Sequence, residues 1–383
     1  MQELTKHDVN YFKRAVKNIE AANDALGHMR VAYIGMADSG GREVFSIRPM
    51  HFFHIESEKE TSCYLKIIHS VFSGAVRKRI YASPCEDSGN GYPLKEMLEN
   101  GFSENVVSEY VGKIADVVEN AITNFVVVLV RGHVLIASKS AGADGPENTV
   151  VDHNFITSII CPMSMSGDRL VCEDAVIKDD TNKWVVGAPV CAVTYPAIID
   201  GVPDVGYAMY YTKKSDVDRK DFLEMSIGGG FPLMESTEKE WFRGAVAEVS
   251  GGACPFPKAQ ALNEAVTRYA ALHHSDEISK ANMEKVMKDA GFSEEEVSSF
   301  GEAYENEFED GDTFSASNIA GGNAVKIADG NFEVRTDSAY AGRITTAMVN
   351  GRLCLALPLD SNVLSFDGIC TDMGGIINRG GAG

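Results

Sequence analysis

With 383 residues, 44 % of them apolar and 23 % charged, the chain holds enough material for two or three packed domains of an ordinary globular protein. Its 55 acidic residues against 35 lysines and arginines leave a net charge of −20. That excludes a general duplex-binding surface while leaving room for a local basic patch.

No apolar run approaches the roughly 20 residues that cross a bilayer. No basic stretch followed by an apolar core opens the chain, so neither a membrane segment nor a secretory signal is expected. The 8 cysteines are spread singly, several inside apolar runs, which suits reduced thiols in a cytoplasmic protein rather than a disulfide frame.

Thr5, with Asp8 three residues on, predicts a helix start. Val9, Phe12, Val16 and Ile19 then share one face, and Lys6, Lys13, Arg14 and Lys17 lie largely elsewhere. Arg30–Met36 and Glu43–Phe53 read as strands across Ser39-Gly40-Gly41. His51 and His54 end the second; on a strand, residues three apart face opposite sides, so only a turn would bring these imidazoles together. Ser57 with Glu60 caps a helix running to Ser73, with Gly74 at its end and Cys63 inside it as a packing residue. Arg77-Lys78-Arg79 is a tight basic cluster. Ser83–Tyr92 has loop composition.

Ser103 opens a helix carrying Val107, Val111, Ile114, Val118 and Ile122. Phe125–Val130 is an aliphatic run of the kind covered on both faces, with His133–Ala137 as its expected hairpin partner across Arg131-Gly132. Ser138–Glu147 is small and polar, a loop. Phe155–Ile160 is a strand ending in Cys161-Pro162.

Lys183–Lys214 is a β-hairpin by composition, turning at Asp200–Asp204. Pro189 and Pro196 each remove a ladder donor, which predicts a sheet edge or a bulge in its first arm. Helical patterns follow at 217–225, 236–249, 259–273, 279–289 and 293–308. Gly228–Gly230 joins two of them, and Ser293 with Glu296 caps the last. Residues 275–312 hold 13 acidic residues against 3 lysines, a self-repelling surface suited to a basic partner.

Beyond Ala316–Gly322 the apolar period becomes two. Segments 324–327 and 332–335 flank one turn, and 344–349 and 352–357 flank Asn350-Gly351, whose residues both accept positive φ. The predicted class is therefore α+β, a mixed or antiparallel sheet with packed helices over 1–250. An acidic helical segment follows at 251–312, a small β module at 313–372, and a loose glycine-rich tail at 373–383.

Catalytic signatures are sparse. There is no phosphate loop, no dinucleotide fingerprint between strand and helix, no nucleophile elbow, and neither Cys-x-x-Cys nor His-Glu-x-x-His. No cofactor or metal is expected. The best nucleophile arrangement is Cys161 with His153 as its base, on one short segment. Trp184, Tyr195, Tyr210 and Tyr211 are candidates to line a binding pocket.

The stretches IICPMSMSGDRL (159–170), KWVVGAPVCAVTYPA (183–197), DVGYAMYYTKK (204–214) and VNGRLCLALPLDSNVLSFDGI (349–369) together resemble the family catalogued as domain of unknown function 4317. The resemblance covers nearly the whole chain. It implies a bacterial cytoplasmic protein and carries no activity, cofactor or catalytic residue. Three expectations follow: a binding or regulatory protein engaging a macromolecular partner; a thiol enzyme using Cys161 and His153 on a small molecule; or a ribosome- or RNA-associated factor using Arg77–Arg79 and the basic face of the first helix, without DNA or membrane as partner.

Overall fold

The computed structural model describes the chain except for residues 1–3, 18–25, 52–53, 56, 86–90, 143–144, 168–169, 174–175, 180–182, 215–218, 231, 233, 309–312, 321–323, 330, 361–362, 367–368 and 373–383. It separates into two units, Met1–Thr237 and Glu238–Gly383.

Aliphatic runs too apolar to leave either face in water set the plan of the first unit. Its elements are α1 (Lys6–Lys17), β1 (Leu26–Met36), β2 (Arg42–His51), α2 (Glu58–Val71), β3 (Ile80–Pro84), α3 (Pro93–Asn100), α4 (Glu104–Val117), β4 (Phe125–Gly142) and β5 (Gly145–Met165). Then come β6 (Leu170–Glu173), β7 (Val176–Asp179), β8 (Trp184–Val186), β9 (Cys191–Tyr195), β10 (Ala197–Ile199), β11 (Val202–Asp204), β12 (Tyr207–Thr212) and α5 (Lys220–Ile227).

The main sheet runs β2-β1-β4-β5-β9-β12-β3, with β8 paired to β5. All its described pairings are antiparallel, which settles the mixed-or-antiparallel expectation. Successive residues of β4 serve opposite faces, as the strand period requires. Val126, Val128 and Val130 pack with Phe12 and Val16 of α1 and Ile68 and Val71 of α2. Val127 and Leu129 pack with Leu94 of α3, Val111 and Ile114 of α4 and Phe222 of α5. The sheet is thus covered on both faces. Helix α2 follows one edge strand, β2, and leads to the opposite edge strand, β3.

The second unit holds most of α6 (Glu235–Val249), then α7 (Phe256–His273), β13 (Glu277–Ser279), α8 (Lys280–Asp289), α9 (Glu294–Glu307), β14 (Thr313–Ser315) and α10 (Ala316–Ile319). Beyond these lie β15 (Ala324–Ala328), β16 (Glu333–Asp337), α11 (Ser338–Ala341), β17 (Thr345–Val349), β18 (Arg352–Ala356), β19 (Val363–Phe366) and β20 (Ile369–Asp372). Phe242, Phe300 and Phe314 are buried together, with Trp241 against them. Glu238, buried at the start of this unit, accepts hydrogen bonds from the backbone N–H of Ser315 and, at 2.6 Å, from Asn318 Nδ2. It thereby supplies acceptors at the N-terminal end of α10.

Several local expectations hold. Thr5 and Asp8 cap each other reciprocally, and Ser57 accepts from the backbone N–H of Glu60. Ser293 and Glu296 form a full capping box. Gly228 ends α5 in the left-handed region at φ 65°. The central hairpin exists, but its turn is confined to Asp200-Gly201, and Val202–Asp204, expected as turn, is β11 paired with β10.

Others are corrected. His133–Ala137 does not turn back on Phe125–Val130: β4 continues straight through Arg131-Gly132 because β5 pairs with it throughout. Ser138–Glu147 is mostly ladder rather than loop, and residues 143–144 lie outside the described residues. The prolines do not mark an edge, since β9 lies between β5 and β12; Pro189 and Pro196 flank the strand instead. Cys63 does not pack inward but is exposed on α2. The glycine-rich tail lies outside the described residues.

Candidate functional site

Cys161 and His153 both lie on β5, eight residues apart, which is about 26 Å at the rise of a strand. The strand does not bring them together. Cys161 is fully buried, and burial pushes its thiol up to about 12, the wrong direction for a nucleophile at neutral pH.

The four aromatic candidates are also dispersed. Tyr210 and Tyr211 are adjacent on β12 and enter opposite cores. Tyr195 meets Tyr92 edge-on at 5.1 Å within one of those cores. Trp184 is 44 % exposed on β8. None of the four lines either of the two cavities of this unit described below.

What the fold does bring together is a set of cations remote in sequence. Antiparallel pairing of β3 with β12 sets Ile80 opposite Tyr211, so the residues just before the one strand and just after the other become neighbours. Lys78, Arg79, Lys213 and Lys214, with Ser73, Gly74, Ala75 and Glu235, line a cavity of about 620 Å³. Among these lining residues Glu235 is the one carboxylate, against four cations.

Backbone hydrogen bonds hold the walls. Arg79 and Ile80 N–H both donate to the Ala75 carbonyl at 2.9 and 3.2 Å, and Arg77, at φ 62°, donates to the Ile80 carbonyl. Thr212 N–H donates to Arg79 O at 2.8 Å, and Lys213 N–H to Val190 O at 2.8 Å. The Thr212 hydroxyl donates to Lys214 O at 2.7 Å and accepts from Arg219 Nη1 at 3.2 Å. Arg219 is buried and ion-paired to Glu119 at 2.7 Å. The exposed lysines therefore stand on an ordered support.

A second cationic cavity, of about 720 Å³, lies at the other end of α2 and is lined by His28, Arg30, Arg48, His51, His54 and Glu60 among others. Here the expectation that His51 and His54 diverge is overturned. β2 ends at His51, and the rings of His51 and His54 lie 4.9 Å apart. His28, opposite His51 in the β1–β2 register, adds a third imidazole at 4.9 Å. Among the described residues no group of three or more His, Cys, Asp or Glu is arranged to hold a metal ion.

The acidic surface of the second unit is solvated. Glu294, Glu295, Glu302, Glu305 and Glu307 of α9 are exposed. Lysines meet part of the acidic charge: Lys258 pairs with Glu296 at 2.8 Å, and Lys280 pairs with Glu305.

The cluster Arg77–Arg79 is visible in the sequence, but its partner Lys213-Lys214 is not recognisable as such. The available signal was a pair of lysines directly after a buried strand, inside YYTKK. Among the described residues no helix is long and apolar enough to cross a membrane. No curated protein is similar in sequence to the chain. A family model does match residues 4–369, nearly the whole length, and the chain belongs to that family, described as domain of unknown function DUF4317.

Proposed function

We propose that the chain is a binding protein whose macromolecular partner is single-stranded RNA, held through Lys78, Arg79, Lys213 and Lys214. The observation that carries this is the convergence of four cations on one cavity in a chain of net charge −20. Gathering like charges is unfavourable unless a polyanion neutralises them and releases counterions. A basic cleft suits a single strand, whose phosphates can enter it. The dispersed cysteines suit a reducing, cytoplasmic setting for this role. The acidic helices of the second unit form an exposed, partly paired surface.

The test is fluorescence anisotropy with a labelled single-stranded oligoribonucleotide at low salt, comparing the unmodified chain with K213E/K214E. Both lysines are exposed, so the double variant should keep its circular dichroism spectrum and lose at least about tenfold in affinity. The unmodified chain should also weaken steeply as salt rises. Absence of RNA binding at low salt, or equal affinity in the double variant, defeats the proposal.

A further inference from the structure

The two cationic cavities are separated in sequence yet share one element. Ser57 and Glu60, at the start of α2, line the histidine cavity. Ser73, Gly74 and Ala75, just past its end, line the lysine cavity. Building on the RNA-binding proposal above, we infer that the two cavities are the ends of one continuous track, and that a single RNA strand lies along the exposed face of α2 between them.

The helix spans 14 residues, which sets the cavities roughly 20 Å apart. Its exposed positions Lys59, Ser62, Cys63 and Lys66 follow the three-and-four spacing of one helix face, and exposed Ser73 lies just past the helix end. Ile68 and Val71, on the opposite side, are buried against the sheet. The stripe therefore carries two lysines, Lys59 and Lys66, over water. Glu58 and Glu60 fall to either side of it.

The two ends are chemically different. At the lysine end, ammonium and guanidinium groups suit phosphates and are indifferent to the base. At the other end, His51 lies between two further imidazoles at 4.9 Å each, beside Arg48. Planar rings next to a guanidinium suit an unstacked base together with its phosphate. Such a track selects for length: a strand too short to reach both ends gains only one of them. A strand that reaches both gains the second end as an intramolecular event, with avidity set by the span.

The experiment measures anisotropy of the intact chain with oligouridylates of about 2 and about 12 nucleotides at matched salt, only the longer of which spans the distance between the ends. The longer strand should bind at least about tenfold more tightly. In K59Q/K66Q, changed only at exposed positions, affinity for the long strand should fall about tenfold, and the slope of log affinity against log salt should drop by about 1.4. Affinity for the short strand should not change. H51A/H54A should likewise weaken only the long strand, with circular dichroism checking its fold. Equal affinity for both lengths, or a long strand indifferent to K59Q/K66Q, overturns the track and leaves the lysine cavity as the RNA site. Binding of neither length overturns both.

Discussion

Gly74 has no room for a side chain. A Cβ built there would stand 2.8 Å from Arg79 Cβ and 3.0 Å from Ile80 Cγ1. Arg79 lines the lysine cavity and buried Ile80 follows it at the start of β3, so Gly74→Ala must displace the segment that carries Arg79. Overpacking of this kind costs about 1–3 kcal/mol. A lower midpoint in thermal unfolding, accompanied by weaker RNA binding, is the expected result. Cys161 yields a prediction of another kind. Burial holds its thiol near 12 against an ordinary 9.0, and likewise holds Cys85 near 11. Because the raised value belongs to the folded state, the associated stability is complete below pH 9.0 and drains away as pH rises toward 12. Urea midpoints should therefore be insensitive to these thiols up to about pH 9 and fall above it, less steeply in Cys161→Ala. At neutral pH an alkylating reagent should modify exposed Cys63 and spare Cys161 in the native protein.

Elements whose signals are local were legible from residues alone. Ser293 and Glu296 announce the start of α9 because both halves of the capping box lie within one turn. Removing the cap by Ser293→Ala should cost about 1 kcal/mol, read as a lower denaturant midpoint for helix loss. Asn350-Gly351 announces its hairpin because φ values of 52° and 75° are accessible to those two residues and costly for most others. Elements misread were those decided by partners rather than by their own residues. Arg131-Gly132 has turn composition, yet β1 and β5 pair on either side of this stretch and draw β4 straight through it. Pro189 and Pro196 imply an edge, yet each sits just outside the ladder of β9 and removes no donor from it. Gly229 is explained only by tertiary structure: a Cβ there would overlap the Pro84 carbonyl oxygen, while Ser83 Oγ donates to Gly230 O at 2.6 Å.

At the scale of the molecule, the α+β class followed from the alternation of helical and strand patterns, but the candidate site did not. Arg79 and Lys213 are brought together by the β3–β12 pairing, and nothing in the sequence near either residue names the other. The same pairing has a kinetic consequence. β4 and β5 are consecutive and pair from Phe125–Pro162 to Gly142–Gly145, a ladder that can zip from its own reversal. β3 must instead wait for β12, with more than a hundred residues closing the loop between Ile80 and Tyr211. Closure of so long a segment is entropically costly and slow. β3 is also an edge strand, with one ladder rather than two. Native-state amide exchange should accordingly be faster in β3 than in the centre of β4 and β5, and slow in β3 when the lysine cavity is occupied. The wall that carries Arg79 would then be among the last parts of the sheet to assemble and the first to detach, so occupancy of the cavity would act as a clasp on the whole edge.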